Sequence, residues 1–263
     1  MSAAQLRVGC WSFTATADLG DNAASIRAGI AAAAAAQVRV LLTPECALTG
    51  YPGAARAGLA DLPSCALADT QELLLAEAER AGIALVLGSA SGDGAGGWTN
   101  DAIALGACYR KRCLTPHDES NFRAGTKAVT MVVDGWRLGL AICYDVRFPH
   151  VWNDLAQLDV DANLMIGHMA GVDPDPGTKA AVIPAFCSVR AAETATPLVF
   201  CNTAAADRWL DSASWDARGV QTTVHGPGLM VTSLIPRRDW APWYSGVRAT
   251  YLAQVIAAGR ETC

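Results

Sequence analysis

Short apolar runs recur along this chain, with stretches of helical spacing between them. Bounded apolar runs read as buried strands, and apolar residues recurring every three to four positions read as helices. Leu6–Phe13 is the first such run, and a helix capped by Asp21 or Asn22 follows it to about Gln37. Val38–Leu42 is a short buried strand ending in Thr-Pro-Glu, and a loop bearing glycine and proline covers Thr49–Pro63. A second helix is expected over roughly Asp69–Ala81, then a strand over Ile83–Gly88.

Hairpins enter the pattern next. The glycine-rich turn Ser91–Gly97 introduces strands near Ala102–Leu105 and Ala107–Arg112. Val129–Val133 and Trp136–Ile142 flank Asp134-Gly135, a dipeptide that favours a tight hairpin. Beyond them come a helix from Pro149, a strand Ala162–Ile166, a helix opened by Pro184 that ends near Thr194, and a strand Leu198–Cys201. Gly226–Gly228 separates two last strands. Helices interleaved with strands and hairpins, without repeat or linker, predict one α/β domain holding two packed sheets. It spans residues 1–235, and 236–263 read as a C-terminal arm of the same unit.

Composition narrows the class. Charged residues make up 17% and hydrophobic ones 52%, where about a quarter charged is usual. A large core, a large oligomer interface, or both would explain that. The net charge of −5 contains no block of like charges, so neither nucleic acid nor an anionic membrane is an expected partner. No basic segment followed by an apolar stretch opens the chain, and Ala28–Val38 is too short for a bilayer span; a cytoplasmic protein is expected. The 9 cysteines include no CxxC pair and the 4 histidines are scattered, so free thiols are expected rather than a disulfide framework or a zinc site.

Most cysteines in such a chain are buried core residues. Cys143 differs, because it ends the apolar strand Trp136–Ile142 and is followed by Tyr-Asp-Val-Arg-Phe-Pro. A side chain at a strand's carboxyl end, before a turn and a helix, is placed to meet a ligand. An ordinary thiol is mostly protonated at neutral pH and needs a base or a nearby cation to become a nucleophile. Glu45 also follows a short apolar strand and is a candidate base. Lys111, after Ala107-Cys-Tyr, is a candidate cation, although Tyr-Arg-Lys-Arg by itself reads as a surface turn.

Taken together these segments resemble the three signature regions of the nitrilase, or carbon–nitrogen hydrolase, superfamily. Pro44-Glu45-Cys-Ala-Leu-Thr-Gly-Tyr51 matches its glutamate region, Tyr109-Arg-Lys-Arg-Cys-Leu114 its lysine region, and Ile142–Pro149 its cysteine region, in the family's order. Glu119-Ser-Asn-Phe-Arg-Ala-Gly125 is similar to its second glutamate region, and Arg190-Ala-Ala-Glu193…Asn202 to a later helix-to-strand segment. Departures occur at Cys113, where His is usual, at His150 in place of Glu, at Gly167–Gly171, which lacks a common aromatic residue, and at Gln221 in place of Ser.

The resemblance implies a four-layer α-β-β-α sandwich and a catalytic set of Glu45, Lys111 and Cys143, with Glu119 positioning the lysine or relaying protons. It implies a small-molecule amide as substrate, cleaved through a thioester on Cys143, with no cofactor and no metal. A homodimer or higher homo-oligomer is implied as well. The Cys-Tyr-Asp-x-Arg-Phe-Pro form resembles amidases acting on ω-amides or deaminated glutathione. Tyr51, Tyr144, Arg147, His168 and Met169 are expected along the substrate pocket, although His168 could equally turn into the core. An N-carbamoyl amino acid amidohydrolase, a nitrilase and a non-catalytic binding scaffold are the alternatives. A papain-like protease is disfavoured, because no histidine has a matching context.

Overall fold

The computed structural model describes residues 5–172 and 177–261. Within these, β1 (Leu6–Ser12), α1 (Leu19–Ala35), β2 (Val40–Leu42), α2 (Ser64–Arg80) and β3 (Ala84–Gly92) alternate. β4 (Trp98–Ala104), β5 (Ala107–Arg110), the short α3 (Pro116–Glu119), β6 (Thr130–Val133) and β7 (Trp136–Ile142) follow. Then come α4 (Pro149–Gln157), β8 (Ala162–Ile166), α5 (Thr178–Glu193), β9 (Leu198–Cys201), β10 (Ser212–Trp215), β11 (Gln221–His225), β12 (Gly228–Leu234) and α6 (Pro242–Glu261).

The strands make two six-stranded sheets, ordered β12-β1-β2-β3-β4-β5 and β11-β10-β9-β8-β7-β6. β1, β2 and β3 are parallel to one another, as are β7, β8 and β9. One apolar cluster lies between the sheets and joins Val8, Leu42 and Val86 to Leu140, Ile166 and Val199. A second packs α1 and α2 on the first sheet, through Ile26, Leu74 and Leu85. A third packs α4 and α5 on the other sheet, through Trp152, Cys187 and Phe200. Burying three apolar faces requires four layers, and the order is the expected α-β-β-α.

Several boundaries differ from those expected. α1 is capped by Asp18, whose carboxylate accepts the Asp21 N–H at 2.8 Å. β3 continues through Ser91, because Leu87–Gly92 pairs residue by residue with β4. α5 begins at Thr178 and carries Pro184 inside it. The buried stripe Ile183, Cys187, Arg190 and Ala191 on one face offsets the hydrogen bond that proline removes. The arm from Pro236 includes a full helix, α6, held by Arg248, which donates to the Thr194 and Val160 carbonyls and to Asp159. No described helix is long and apolar enough to cross a membrane.

Candidate active site

The parallel strands of both sheets deliver their following residues to one end of the sandwich. Glu45 comes just after β2, Cys143 directly after β7 and His168 after β8; Lys111 follows β5, which runs parallel to β3 through the intervening antiparallel β4. The Glu45 loop presses against β3. A Cβ on Gly88 would lie 1.9 Å from the Pro44 carbonyl oxygen, so the approach requires glycine.

Glu45 is fully buried and both of its oxygens are occupied. One accepts from Lys111 Nζ and from Asn100 Nδ2, each at 2.7 Å; the other accepts the backbone N–H of His168 at 2.8 Å. Lys111 is equally buried and also donates to Asp118 Oδ2 at 2.8 Å. Burial alone would pull the lysine's pKa down. The charges of Glu45 and Asp118 oppose it, and the pKa is held well above its ordinary value, so the ammonium is retained. For Asp118, burial pushes upward, yet Lys111 and the donors Tyr51 and Thr115 hold the carboxyl below the usual range.

Asp118, not Glu119, is therefore the second carboxylate at the lysine. Thr115 caps α3, and its hydroxyl accepts the Asp118 N–H at 3.0 Å. Asp118 Oδ2 reaches back to the Thr115 N–H at 3.0 Å. This reciprocal capping box aims the Asp118 carboxylate inward, and one residue further on Glu119 is exposed. Thr115-Pro-His-Asp118 was the legible signal: a Thr with an acid three positions later fixes which carboxylate turns back toward the chain.

Cys143 opens a short 3-10 turn, Cys143–Arg147, with φ of +49°, a left-handed conformation that few non-glycine residues adopt. The turn is over-determined from below. Asp145 accepts from the Ile142 N–H at 2.9 Å, the Tyr109 hydroxyl at 2.7 Å and the Cys113 N–H at 2.9 Å. Trp152 Nε1 donates to the Asp145 carbonyl, and Arg190 Nε to that of Val146. Such support keeps strained backbone in place. Burial, then the Glu45 charge, pushes the Cys143 thiol well above its ordinary pKa, with Lys111 pulling the other way. Burial and the Glu45 charge thus keep the resting group a thiol, and ionisation has to accompany proton transfer to a base.

Cys143 borders a cavity of about 360 Å³ that Tyr51, Tyr144, Arg147, His168 and Met169 also line. A wider cavity of about 800 Å³ shares Tyr51, His117 and His168 with it. His168 does not turn into the core: its ring stacks on Tyr51, with centroids 4.6 Å apart and planes 6° from parallel. Burial lowers its pKa, so the imidazole is neutral at neutral pH. Met169 is buried, with its N–H on Asn202. The Arg147 guanidinium has no ion pair among the described residues; it faces the rings of Tyr144 and Phe186 at 5.8 and 5.3 Å. Besides Asp118, sequence reading missed Asn100, whose isolated side chain carries no pattern pointing to this site, and gave no role to Asp145, although it stands within the cysteine string.

A thiol beside a buried carboxylate, with an ammonium held by two carboxylates, is an arrangement built for acyl transfer. The family model for carbon–nitrogen hydrolases matches residues 2–226, and the chain belongs to that family. An (R)-stereoselective amidase from Pseudomonas sp is 32% identical over 148 residues, 54% of this chain and 52% of that protein. A hydrolase of Mycobacterium tuberculosis is 37% identical over 94 residues, 30% of this chain and 33% of its own length. The chain thus spans about half, or less, of the length of these curated relatives. An amidase from Nesterenkonia sp. superposes with a TM-score of 0.75 at 23% identity, covering 94% of this chain and 97% of that one. A structure of that amidase carries the acetamide moiety of fluoroacetamide added covalently at its active site cysteine; it covers 100% of this chain and 98% of its own, at a TM-score of 0.78 and 23% identity. At such identity the likeness establishes the shared fold.

Proposed function

We propose that this protein hydrolyses small-molecule amides through a thioester on Cys143. The observation that carries this is a thiol bordering the cavity, near enough to feel the charges of Glu45 and Lys111, with the ammonium locked between Glu45 and Asp118 behind it. Cys143 Sγ attacks the amide carbon as Glu45 takes the thiol proton. Lys111 and the backbone N–H of Tyr144 stabilise the oxyanion. Glu45 hands its proton to the leaving nitrogen, the C–N bond breaks and ammonia departs. Water then attacks the thioester carbon, giving its proton to Glu45; the S–C bond breaks, the acid is released and the thiol regains its proton. The family and the amidase among the curated relatives support this reading.

The finer substrate class follows from Arg147. A guanidinium lining the cavity, without an ion pair among the described residues, suits an amide that carries a carboxylate tail, as an ω-amide does. The test is ammonia release across a panel of ω-amides, neutral amides, N-carbamoyl amino acids and nitriles. ω-Amides are expected to turn over best. Arg147→Ala should lower kcat/KM for them by about ten- to a hundredfold, the scale of a lost charged hydrogen bond, and change neutral amides little. Equal losses on both kinds of amide would remove the acidic tail, and no ammonia from any amide would remove the amidase reading.

A further inference from the structure

Glu45, Lys111 and Asp118 belong to a closed circuit that two aromatic side chains complete. From Lys111 the contacts run to Asp118, whose other oxygen accepts the Tyr51 hydroxyl at 2.6 Å. The Tyr51 ring stacks on His168, and the His168 N–H returns to Glu45, which holds Lys111 again. Tyr51 and His168 come from different sheets, one from the loop after β2 and the other just after β8. Their stack therefore bridges the two halves of the sandwich over the reacting centre. The Tyr51 ring also meets His117, at 5.9 Å and 35°, and His117 Nε2 lies 2.9 Å from the Pro52 carbonyl oxygen.

The geometry matters because of how an ammonium is divided. Lysine has three N–H donors, and here two are directed at Glu45 and Asp118. The direction left for the third, toward a substrate oxygen, is set by where the two carboxylates sit. Glu45 is fixed by Asn100 and the His168 N–H. Asp118 is fixed by Thr115 on one oxygen and by Tyr51 on the other.

We propose that Tyr51 and His168 are positioning residues rather than substrate contacts: the imidazole holds the Tyr51 ring so that its hydroxyl stays on Asp118, and Asp118 in turn aims the Lys111 ammonium. This rests on the amide-hydrolysis reading for its kinetic consequences. An ammonium that loses its aim stabilises the developing oxyanion less, while the bound substrate is affected little, so kcat falls and KM does not.

The test compares wild type, Tyr51→Phe, His168→Ala, His168→Phe and the double variant Tyr51→Phe/His168→Ala on the best amide, with thermal unfolding to verify each fold. Tyr51→Phe keeps the ring and should lower kcat about ten- to a hundredfold, as for a lost hydrogen bond to a buried carboxylate, with KM little changed. His168→Ala should lower kcat about two- to tenfold, and His168→Phe, which can still stack, should restore it. The double variant should fall no further than Tyr51→Phe, because the imidazole acts through the hydroxyl. Independently of turnover, both Tyr51→Phe and His168→Ala should raise the Asp118 pKa in a carboxyl NMR titration. A raised KM with unchanged kcat in Tyr51→Phe, additive losses in the double variant, or an unchanged Asp118 titration would each overturn the proposal. Wild-type inactivity on every amide would count against the amidase reading instead, and the titration would still decide the circuit.

Discussion

Asp118 and Glu119 are neighbours with opposite surroundings, one buried against Lys111 and the other in solvent. Resemblance at the level of a segment selected Glu119; a capping box, which is local physics, selects Asp118. Asp118→Asn should lower kcat about a hundredfold, by removing a charge-assisted hydrogen bond from the lysine, and Glu119→Gln should leave it unchanged. Steady-state kinetics on the same amide separates them, and equal losses would contradict the assignment. The pKa of Asp118 is lower folded than unfolded, so the stability it contributes is fully present above about pH 4, its unfolded value, and is lost as pH falls through the folded value. Asp118→Asn should accordingly flatten the acid limb of Tm against pH below about pH 4. Glu45, Lys111 and Cys143 were legible because each stands in a short, distinctive string at the end of an apolar strand. Asn100 was not, since its role arises from β3–β4 pairing; Asp145 stood within the cysteine string, but its support of the turn after β7 shows only in the fold.

At the scale of elements, the strands with a strong apolar run were legible almost to the residue: Leu6–Ser12, Trp136–Ile142, Ala162–Ile166 and Leu198–Cys201 all form. Misreadings fell where tertiary contacts override local signals. Pro184 reads as a helix start, but the face it shares with Cys187 is buried on the second sheet and carries the helix through it. Polar Ser91 reads as turn, yet it pairs with Thr99 across the β3–β4 ladder. That strand also positions Glu45. Gly88→Ala would force a Cβ against the Pro44 carbonyl, backbone against backbone, with no flexible side chain to yield. The substitution should destabilise the fold by about 1–3 kcal/mol, as overpacking does, and displace the Glu45 loop. Denaturant unfolding together with kcat measures both; a variant with wild-type stability and activity would contradict the close approach.

The whole molecule follows from three buried apolar interfaces, and the candidate active site lies where the carboxyl ends of both sheets meet. The two-sheet α/β class was legible from the alternation of elements. Which strands share a sheet was not: β11 and β12 are adjacent in sequence but edge different sheets, a choice that period-two patterning does not encode. The resemblance implies at least a homodimer, and the low charge content fits a buried interface. Light scattering at working concentration should give at least the dimer mass, and a strictly monomeric mass would contradict it. Four layers, two sheets and five supporting hydrogen bonds at the nucleophile turn all converge on one sulfur atom. The direct test is acid-quenched turnover of the best amide followed by peptide mass mapping, run beside Cys143→Ala. The acyl group should appear on the peptide bearing Cys143 and on no peptide bearing the exposed Cys65 or Cys108, and Cys143→Ala should release no ammonia while remaining folded. Unacylated Cys143 during turnover, with ammonia release persisting in Cys143→Ala, would contradict the account.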